Sequence, residues 1–390
     1  MEAWLAPHFH QLFTSAGPAT CVVGISGGPD SVALILLLNN ILPQLRLVAA
    51  HMNHHARQGA DADQNFVAGL AQELGVAIEI GHFHAMRKSH FEADARKARH
   101  QWLEDVALKH QAGWVATAHT LDDQAETLLM RLARGTGPTG LAGIRPVRRL
   151  KKSGVKLVRP LLGVTKSSIL QYLAETGQQH CIDPTNTDAE QQDRAWVRHV
   201  LYPLMAERLN PQLNHSLAQV AGLMAEEEDG LERLVRATFA SLAQVSFDKD
   251  VVIIDRQQFS TTGEAWMRRR WLRLLWQDLG WPMGPMGLAD WQGLEEWMSF
   301  ADKPLHRKIS SDIDAVIDGE RIVLRLGSQA ISKTVSDDDK TLQNRNLCVE
   351  WPWHGRVNLG NEGEFLEAVA MAQTLGLDEL KRLDPKEFAV

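Results

Sequence analysis

Short apolar segments alternate with helix-length segments through the first 185 residues, and this alternation limits the fold more than any other feature of the chain. Cys21–Ile25, Leu47–His51, Val76–Ile80, Trp114–Ala118 and Lys156–Leu162 read as strands, the last closed by Pro160. Ser31–Leu42, Asp61–Leu74, Glu92–Gln111 and Thr120–Arg134 read as helices. Strands that run the same way through crossover helices form a parallel sheet covered on both faces. The expected fold class is therefore α/β, a Rossmann-like parallel sheet with helices on both faces. After about Asp183 the pattern changes. Residues 196–242 read as mostly helical, with breaks at Pro203 and Pro211. A strand (Val251–Asp255), a Trp-rich helix (Ala265–Leu279) and a hairpin of Ile313–Ile317 with Arg321–Leu326 through Asp318-Gly319 follow. This predicts a smaller, mainly helical domain with a β-hairpin. The expected boundaries are 1–215, 216–328 and a C-terminal extension, 329–390. In the extension, the charged stretch Ser332–Asn346 is expected to be mobile and to precede a strand (Leu347–Trp351) and a helix (Glu364–Leu383).

A chain of 390 residues has room for two or three domains. Its 44% apolar and 23% charged residues exclude a fibrous or disordered protein. The longest apolar run, Val32–Leu38, is too short to cross a bilayer, and no secretory leader is visible, so no membrane role is expected. Cys21, Cys181 and Cys348 lie far apart, without CxxC or CxxH spacing, which argues against a zinc site or a disulfide framework. A reducing, cytoplasmic setting is expected. The net charge of −7 does not by itself favour a polyanionic partner. Yet Arg145, Arg148, Arg149, Lys151, Lys152, Lys156 and Arg159 follow one another with no acid between them, and Arg268, Arg269, Arg270 and Arg273 form a second cluster. Such patches act within a Debye length, ~8–10 Å.

The sharpest local signal is Ser26-Gly27-Gly28-Pro29-Asp30-Ser31, between an apolar strand and an apolar helix. Two glycines allow a tight turn and close approach to an anion, and the following helix turns its free N–H groups and positive dipole end toward it. Asp30 makes most sense if a divalent metal stands between it and phosphate. The loop is neither GxxxxGK(S/T) nor GxGxxG. A plain turn with Pro29 at the helix start is the simpler alternative.

A second cluster, His119, Asp122, Asp123 and Glu126, sits around one helical turn after the fourth strand, with Thr120 as N-cap. Spacings of three and four residues let these side chains share a face. The carboxyl edge of an open parallel sheet is where ligands bind. Capping explains one or two of these acids; three acids and a histidine call for a cation, either Mg²⁺ or an amine. Arg96, Arg99, Arg194 and Arg198 have the planar fork that suits phosphate oxygens. His51, His54 and His55 fit hydrogen-bonded structural roles as well as ligand roles. Gly135-Thr136-Gly137 through Gly143 opens as a helix C-cap and turn. Trp266, Trp271 and Trp276 suit core packing, and the arginines between them suit RNA contact. The basic stretch 145–159 is either a solvated loop or one that faces RNA.

The Ser26–Ser31 turn resembles the SGGxDS loop of the ATP pyrophosphatase (PP-loop) superfamily, adenine nucleotide α-hydrolase-like in fold. Further segments resemble one branch, tRNA(Ile)-lysidine synthase: His51-Met52-Asn53-His54-His55-Ala56-Arg57, with Ala56 where Leu is usual; Glu92 with Ala95-Arg96-Lys97-Ala98-Arg99-His100, with His100 for Tyr; His119 to Thr127, running on to Gly137; and Asp183-Pro184-Thr185-Asn186 with Arg194-Ala195-Trp196-Val197-Arg198, with Thr185 for Ser and Ala195 for Asn. The resemblance covers about residues 20–205. It implies ATP-dependent joining of free L-lysine to C2 of cytidine 34 in the CAU anticodon of tRNA(Ile), with AMP and diphosphate released. It also implies that Ser26, Gly27, Gly28, Pro29, Asp30 and Ser31 cradle pyrophosphate, that Asp30 holds Mg²⁺, and that Arg99 offsets phosphate charge with Arg194. Asp123 and Glu126 are expected to hold and deprotonate the lysine amine, with His119 as an alternative acceptor. Asp122, Arg96, Gly135, Gly137, Arg194 and Arg198 are expected to contact substrate or tRNA. A homodimer is left open. The rival expectations are a tRNA thiolation enzyme, which needs cysteine chemistry; an amidating PP-loop ligase such as NAD or GMP synthase; and a non-catalytic RNA-binding module.

Overall fold

The computed structural model describes residues 1–14, 19–53, 55, 59–83, 91–150, 153–181, 193–246, 250–284, 286–300, 306–310, 312–327, 348–351 and 355–358. The chain divides into two compact units, Met1–Asp229 and Gly230–Val390.

The first unit is built on a six-stranded sheet of β1 (Thr20–Gly24), β2 (Arg46–Asn53), β3 (Ala77–His82), β4 (Trp114–Ala116), β5 (Val147–Arg149) and β6 (Lys156–Val158). Their order is β3-β2-β1-β4-β6-β5, parallel except for β5. The helices are α1 (Glu2–Leu12), α2 (Pro29–Ile41), α3 (Ala60–Glu73), α4 (Phe91–Lys109), α5 (Leu121–Ala133), α6 (Pro138–Leu141), α7 (Lys166–Thr176), α8 (Asp193–Trp196), α9 (Tyr202–Arg208) and α10 (Leu213–Thr238), the last belonging to this unit only as far as Asp229, with a π-helical turn at Val197–Leu201. Successive strand residues point to opposite faces. Cys21, Val23, Ala49 and Val158 accordingly join one core with α1, α2, α3 and α7, while Val22, Val48, Val115 and Leu157 join another with Leu103, Val106 and Ala107 of α4. Both faces of the parallel sheet are covered, as the unbroken apolar strands require.

Two strands differ from the sequence reading. The fifth parallel strand stops at Val158 because the chain turns at Arg159-Pro160, and proline has no N–H for the ladder. Part of the basic stretch, Val147–Arg149, pairs antiparallel with β6 and forms the sheet edge instead of a loop. Arg145 and Arg159 of that stretch turn inward. Arg159 is buried and donates to the Arg145 carbonyl at 2.5 Å, while Arg145 reaches Asp229 at 3.0 Å and the Ala225 carbonyl at 2.8 Å.

The second unit holds α11 (Arg256–Thr261), α12 (Ala265–Leu279) and α13 (Leu288–Ser299) with β7 (Ala243–Val245), β8 (Val251–Asp255), β9 (His306–Lys308), β10 (Ile313–Asp318) and β11 (Arg321–Leu326). The hairpin predicted from Asp318-Gly319 is β10–β11, with Gly319 at φ 58°, but it lies within a five-stranded antiparallel sheet, β7-β8-β11-β10-β9. Alternate residues Ile313, Ala315 and Ile317 face a core that contains Trp271, Trp276, Trp281, Trp291 and Trp297. Trp276 meets Trp281 and Trp291 edge-on at 5.0 and 5.4 Å, and Trp266 stays exposed. Arg268, expected to meet RNA, is instead paired with buried Glu295 at 2.7 Å and donates to the Gly263 carbonyl at 2.8 Å. In the C-terminal extension β12 (Cys348–Trp351) pairs with β13 (Gly355–Asn358). The expected mobile stretch and the expected helix at 364–383 lie outside the described residues.

Candidate active site

β1 lies between β2 and β4, where the strand order reverses. At such a switch point the loops after the two central strands part and leave a crevice at their carboxyl ends. The loop after β1 is Ser26–Ser31. Gly27 has φ 90°, and a Cβ on it would stand 3.0 Å from the Cys181 sulfur. Its carbonyl accepts the Cys181 N–H at 2.9 Å. The Ser31 hydroxyl donates to the Gly28 carbonyl at 2.9 Å and accepts the Ser26 N–H at 3.1 Å, so the turn is held from within. Gly28 is the N-cap and Pro29 opens α2, which leaves the first turn's N–H groups facing the crevice. His51 donates from Nδ1 to the Ile25 carbonyl at 2.9 Å, tying β2 to the start of this loop. Burial lowers its pKa, so the ring is a neutral brace.

The segment after β4 supplies the second wall. Thr120 caps α5 in a capping box with Asp123: Asp123 Oδ2 accepts the Thr120 N–H at 2.9 Å, and the Thr120 hydroxyl accepts the Asp123 N–H at 3.3 Å. Asp123 Oδ1 faces Arg194 at 3.2 Å, Arg198 at 3.8 Å and the Lys166 ammonium at 3.9 Å. The same ammonium stands 3.9 Å from Asp30 Oδ2. One cation therefore stands between the glycine turn and the acidic helix. Asp122 turns away from this group and accepts the Lys166 backbone N–H at 2.8 Å, which anchors α7 to α5. His119 lies beside them, with Nδ1 3.1 Å from the Thr117 hydroxyl.

Glu126 differs most from its expected role of facing a substrate amine. It is 3% exposed, and its two oxygens take Arg198 Nε at 2.6 Å and Arg194 Nε at 2.8 Å. Arg194 and Arg198 are four residues apart across α8 and the π-helical turn, and both reach the same carboxylate. The charge that relieves the clustered acids thus comes from the protein's own Lys166, Arg194 and Arg198. Burial pushes the Asp30 carboxyl up to about 6, against the pull of Lys166. Burial also raises Asp123, but Lys166, Arg194 and the Thr120 hydrogen bond outweigh it and hold that carboxyl below its ordinary value.

The glycine segment after α5 is held against it. Arg131 donates to the Gly140 and Gly143 carbonyls at 2.8 and 3.0 Å, and Gln124 accepts the Ile144 N–H at 2.6 Å. Gly135 has φ 73°, and Gly137 caps the short α6. Arg96 and Arg99 lie on α4; the Arg96 side chain, residues His54, Ala56 and Arg57, and Asp183-Pro184-Thr185-Asn186 lie outside the described residues. Two features escaped sequence reasoning. Lys166 could have been found by the rule that found Thr120, since Thr165 is an N-cap just past the next strand. Cys181 had no local signal, because only the fold brings it to Gly27.

Among the described residues no three His, Cys, Asp or Glu side chains gather as a metal cage. Asp30 alone, a carboxylate 25% exposed and in only loose contact with Lys166, suits Mg²⁺, which keeps most of its shell as water and phosphate oxygen.

The PP-loop domain family matches residues 1–205. A tRNA(Ile)-lysidine synthase from Symbiobacterium thermophilum is 40% identical over 227 residues, 56% of this chain and 46% of that protein. Proteins of the same name from Rhodopirellula baltica and Methylobacterium nodulans are 32% identical over 311 residues and 35% identical over 266. These alignments cover 70% and 68% of this chain, and 78% and 74% of those proteins. The chain spans about half the length of the Symbiobacterium relative. With the phosphate turn and the acidic helix inside the matched region, and about three quarters of two such relatives covered, the chain belongs to the tRNA(Ile)-lysidine synthase family of PP-loop proteins.

Proposed function

We propose that the chain uses ATP to activate C2 of cytidine 34 in the CAU anticodon of tRNA(Ile) and joins that carbon to the ε-amine of free L-lysine, in the cytoplasm. The contact of one ammonium with both Asp30 and Asp123 carries this reading, because a nucleotide on the glycine turn and an amine at the acidic helix then share one crevice. The cytosine O2 is a poor leaving group. Its attack on the α-phosphorus of ATP expels diphosphate and leaves AMP on that oxygen. The lysine amine then adds at C2, AMP departs, and the amine proton goes to a base.

Ser26–Ser31 hold the outer phosphates through N–H groups of the turn and of the α2 start, and Asp30 would hold Mg²⁺. Held there, the ion would supply positive charge beside the leaving diphosphate. Arg194 meets charge at the transferring phosphorus and Arg99 assists. Arg198 steadies Arg194 through Glu126. Asp123, kept acidic by its cations, holds the lysine ammonium and is a weak base. His119 is then the acceptor of its proton. Arg96, Asp122, Gly135 and Gly137 line the approach of the splayed cytidine, as single-stranded RNA allows.

A thiolation reading would draw on Cys181 beside Gly27. Sulfur transfer through a disulfide needs a partner thiol, and Cys21 is buried in β1 with its thiol pushed up by burial. The test is diphosphate release that depends on both tRNA and lysine. Asp123→Asn should reduce it by a factor of 100 or more, ~3 kcal/mol, with the fold retained; unchanged turnover would remove Asp123 from the mechanism.

A further inference from the structure

The glycine turn presents an anion cradle with an acid in it and no cation. In a GxxxxGK(S/T) loop the turn itself carries the lysine that reaches the phosphates. Here that position's chemistry is missing from residues 26–31, yet the described structure brings a lysine to the same place from elsewhere. Lys166 is the first residue of α7, beyond β6. Its backbone is fixed twice, by the Asp122 carboxylate on its N–H at 2.8 Å and by the Thr165 cap that accepts the Ser168 N–H at 3.1 Å. Its side chain is not fixed in that way. At 3.9 Å from both Asp30 and Asp123 the ammonium lies beyond hydrogen-bond range of either, and among the described residues it donates no hydrogen bond. It remains 29% exposed toward the crevice. A rooted backbone, a flexible four-carbon stem and three unused donors describe a group that can change partners.

We infer that Lys166 is a phosphate-directed cation of this site: it stands between Asp30 and Asp123, and when ATP binds its ammonium turns onto the phosphate chain above the Ser26–Ser31 turn. The inference rests on the nucleotide reading above and extends it by one residue. Arg194 and Arg198 are held where they stand by hydrogen bonds of 2.6 to 3.0 Å to Glu126, so neither can swing onto the outer phosphates above the turn. Among the described residues Lys166 has no such commitment. Its charge is needed in both states, first against two carboxylates and then against phosphate.

The experiment is equilibrium binding of ATP with Mg²⁺, and separately of adenosine, to the wild-type chain, Lys166→Met and Lys166→Arg, each checked for folding by thermal melting. Neither tRNA nor lysine is needed. ATP affinity should fall at least tenfold in Lys166→Met and recover to within about threefold in Lys166→Arg, while adenosine affinity stays within twofold in all three. A structural role alone would weaken both ligands together, and that result overturns the inference. So does ATP affinity within twofold of wild type in Lys166→Met. Failure of the wild-type chain to bind ATP would instead overturn the nucleotide reading itself.

Discussion

Asp30 and Asp123 face the same ammonium, yet their acidities move in opposite directions. At Asp30 burial outweighs the pull of Lys166, and the carboxyl rises to about 6. Asp123 adds Arg194 and the Thr120 hydrogen bond, and falls. A carboxyl raised on folding gives stability that is full below its unfolded pKa and is lost as pH rises through its folded one. Asp30→Asn should therefore gain stability relative to wild type as pH rises from about 4 to about 6, by ~2–3 kcal/mol, as read by chemical denaturation across that range; a pH-independent difference would contradict this. Asp123 has the opposite sign, with its contribution present above its unfolded pKa and lost as pH falls through the lowered one. At Gly27 the backbone is in the left-handed region and the space for a Cβ is taken by Cys181. Gly27→Ala should cost ~1–2 kcal/mol in denaturant melts and weaken ATP binding at least tenfold. Side-chain types at the turn and on α5 were readable in the sequence because each motif is local. Lys166 against Asp30, and Arg194 with Arg198 against Glu126, were not, because those pairs form only across crossovers.

At the scale of elements, α5 does two tasks with one cap. Asp123 is both the N3 member of the capping box and a wall of the crevice. Thr120→Ala should lose ~1 kcal/mol of stability and also lower turnover, because the Thr120 hydroxyl is lost both to the Asp123 N–H and to Asp123 Oδ2, which keeps only the Thr120 backbone N–H; loss of stability with full turnover would separate the two tasks. In the second unit Arg268 and Glu295 form a pair with each side chain at most 12% exposed. Glu295→Ala leaves a buried guanidinium without its carboxylate and should cost ~3 kcal/mol in the unfolding transition of that unit. The helices and central strands were legible from apolar runs and caps. The three-residue strands β5, β7 and β9 were not, since so short an edge has no period to read and owes its conformation to the neighbour it pairs with. The Arg268 pairing was hidden for a similar reason: an arginine cluster looks the same whether it faces solvent or a carboxylate on another helix.

Across the whole molecule, a single topological fact organises the proposed chemistry. β1 and β4 are neighbours at the reversal of strand order, so two motifs about ninety residues apart in sequence open onto one crevice. The alternation of strands and helices implied a parallel sheet, and the resemblance implied which loops matter; the adjacency of β1 and β4 came only from the fold. The division at Asp229 falls inside the continuous helix α10, where no proline, glycine run or loop marks it in the sequence. The most direct measurement is mass analysis of nucleosides from tRNA(Ile) with a CAU anticodon after incubation with the protein, ATP, Mg²⁺ and isotopically labelled L-lysine. The predicted product is cytidine 34 heavier by one labelled lysine less one water, absent when ATP is omitted; unmodified cytidine 34 from folded, ATP-binding protein would contradict the proposed reaction.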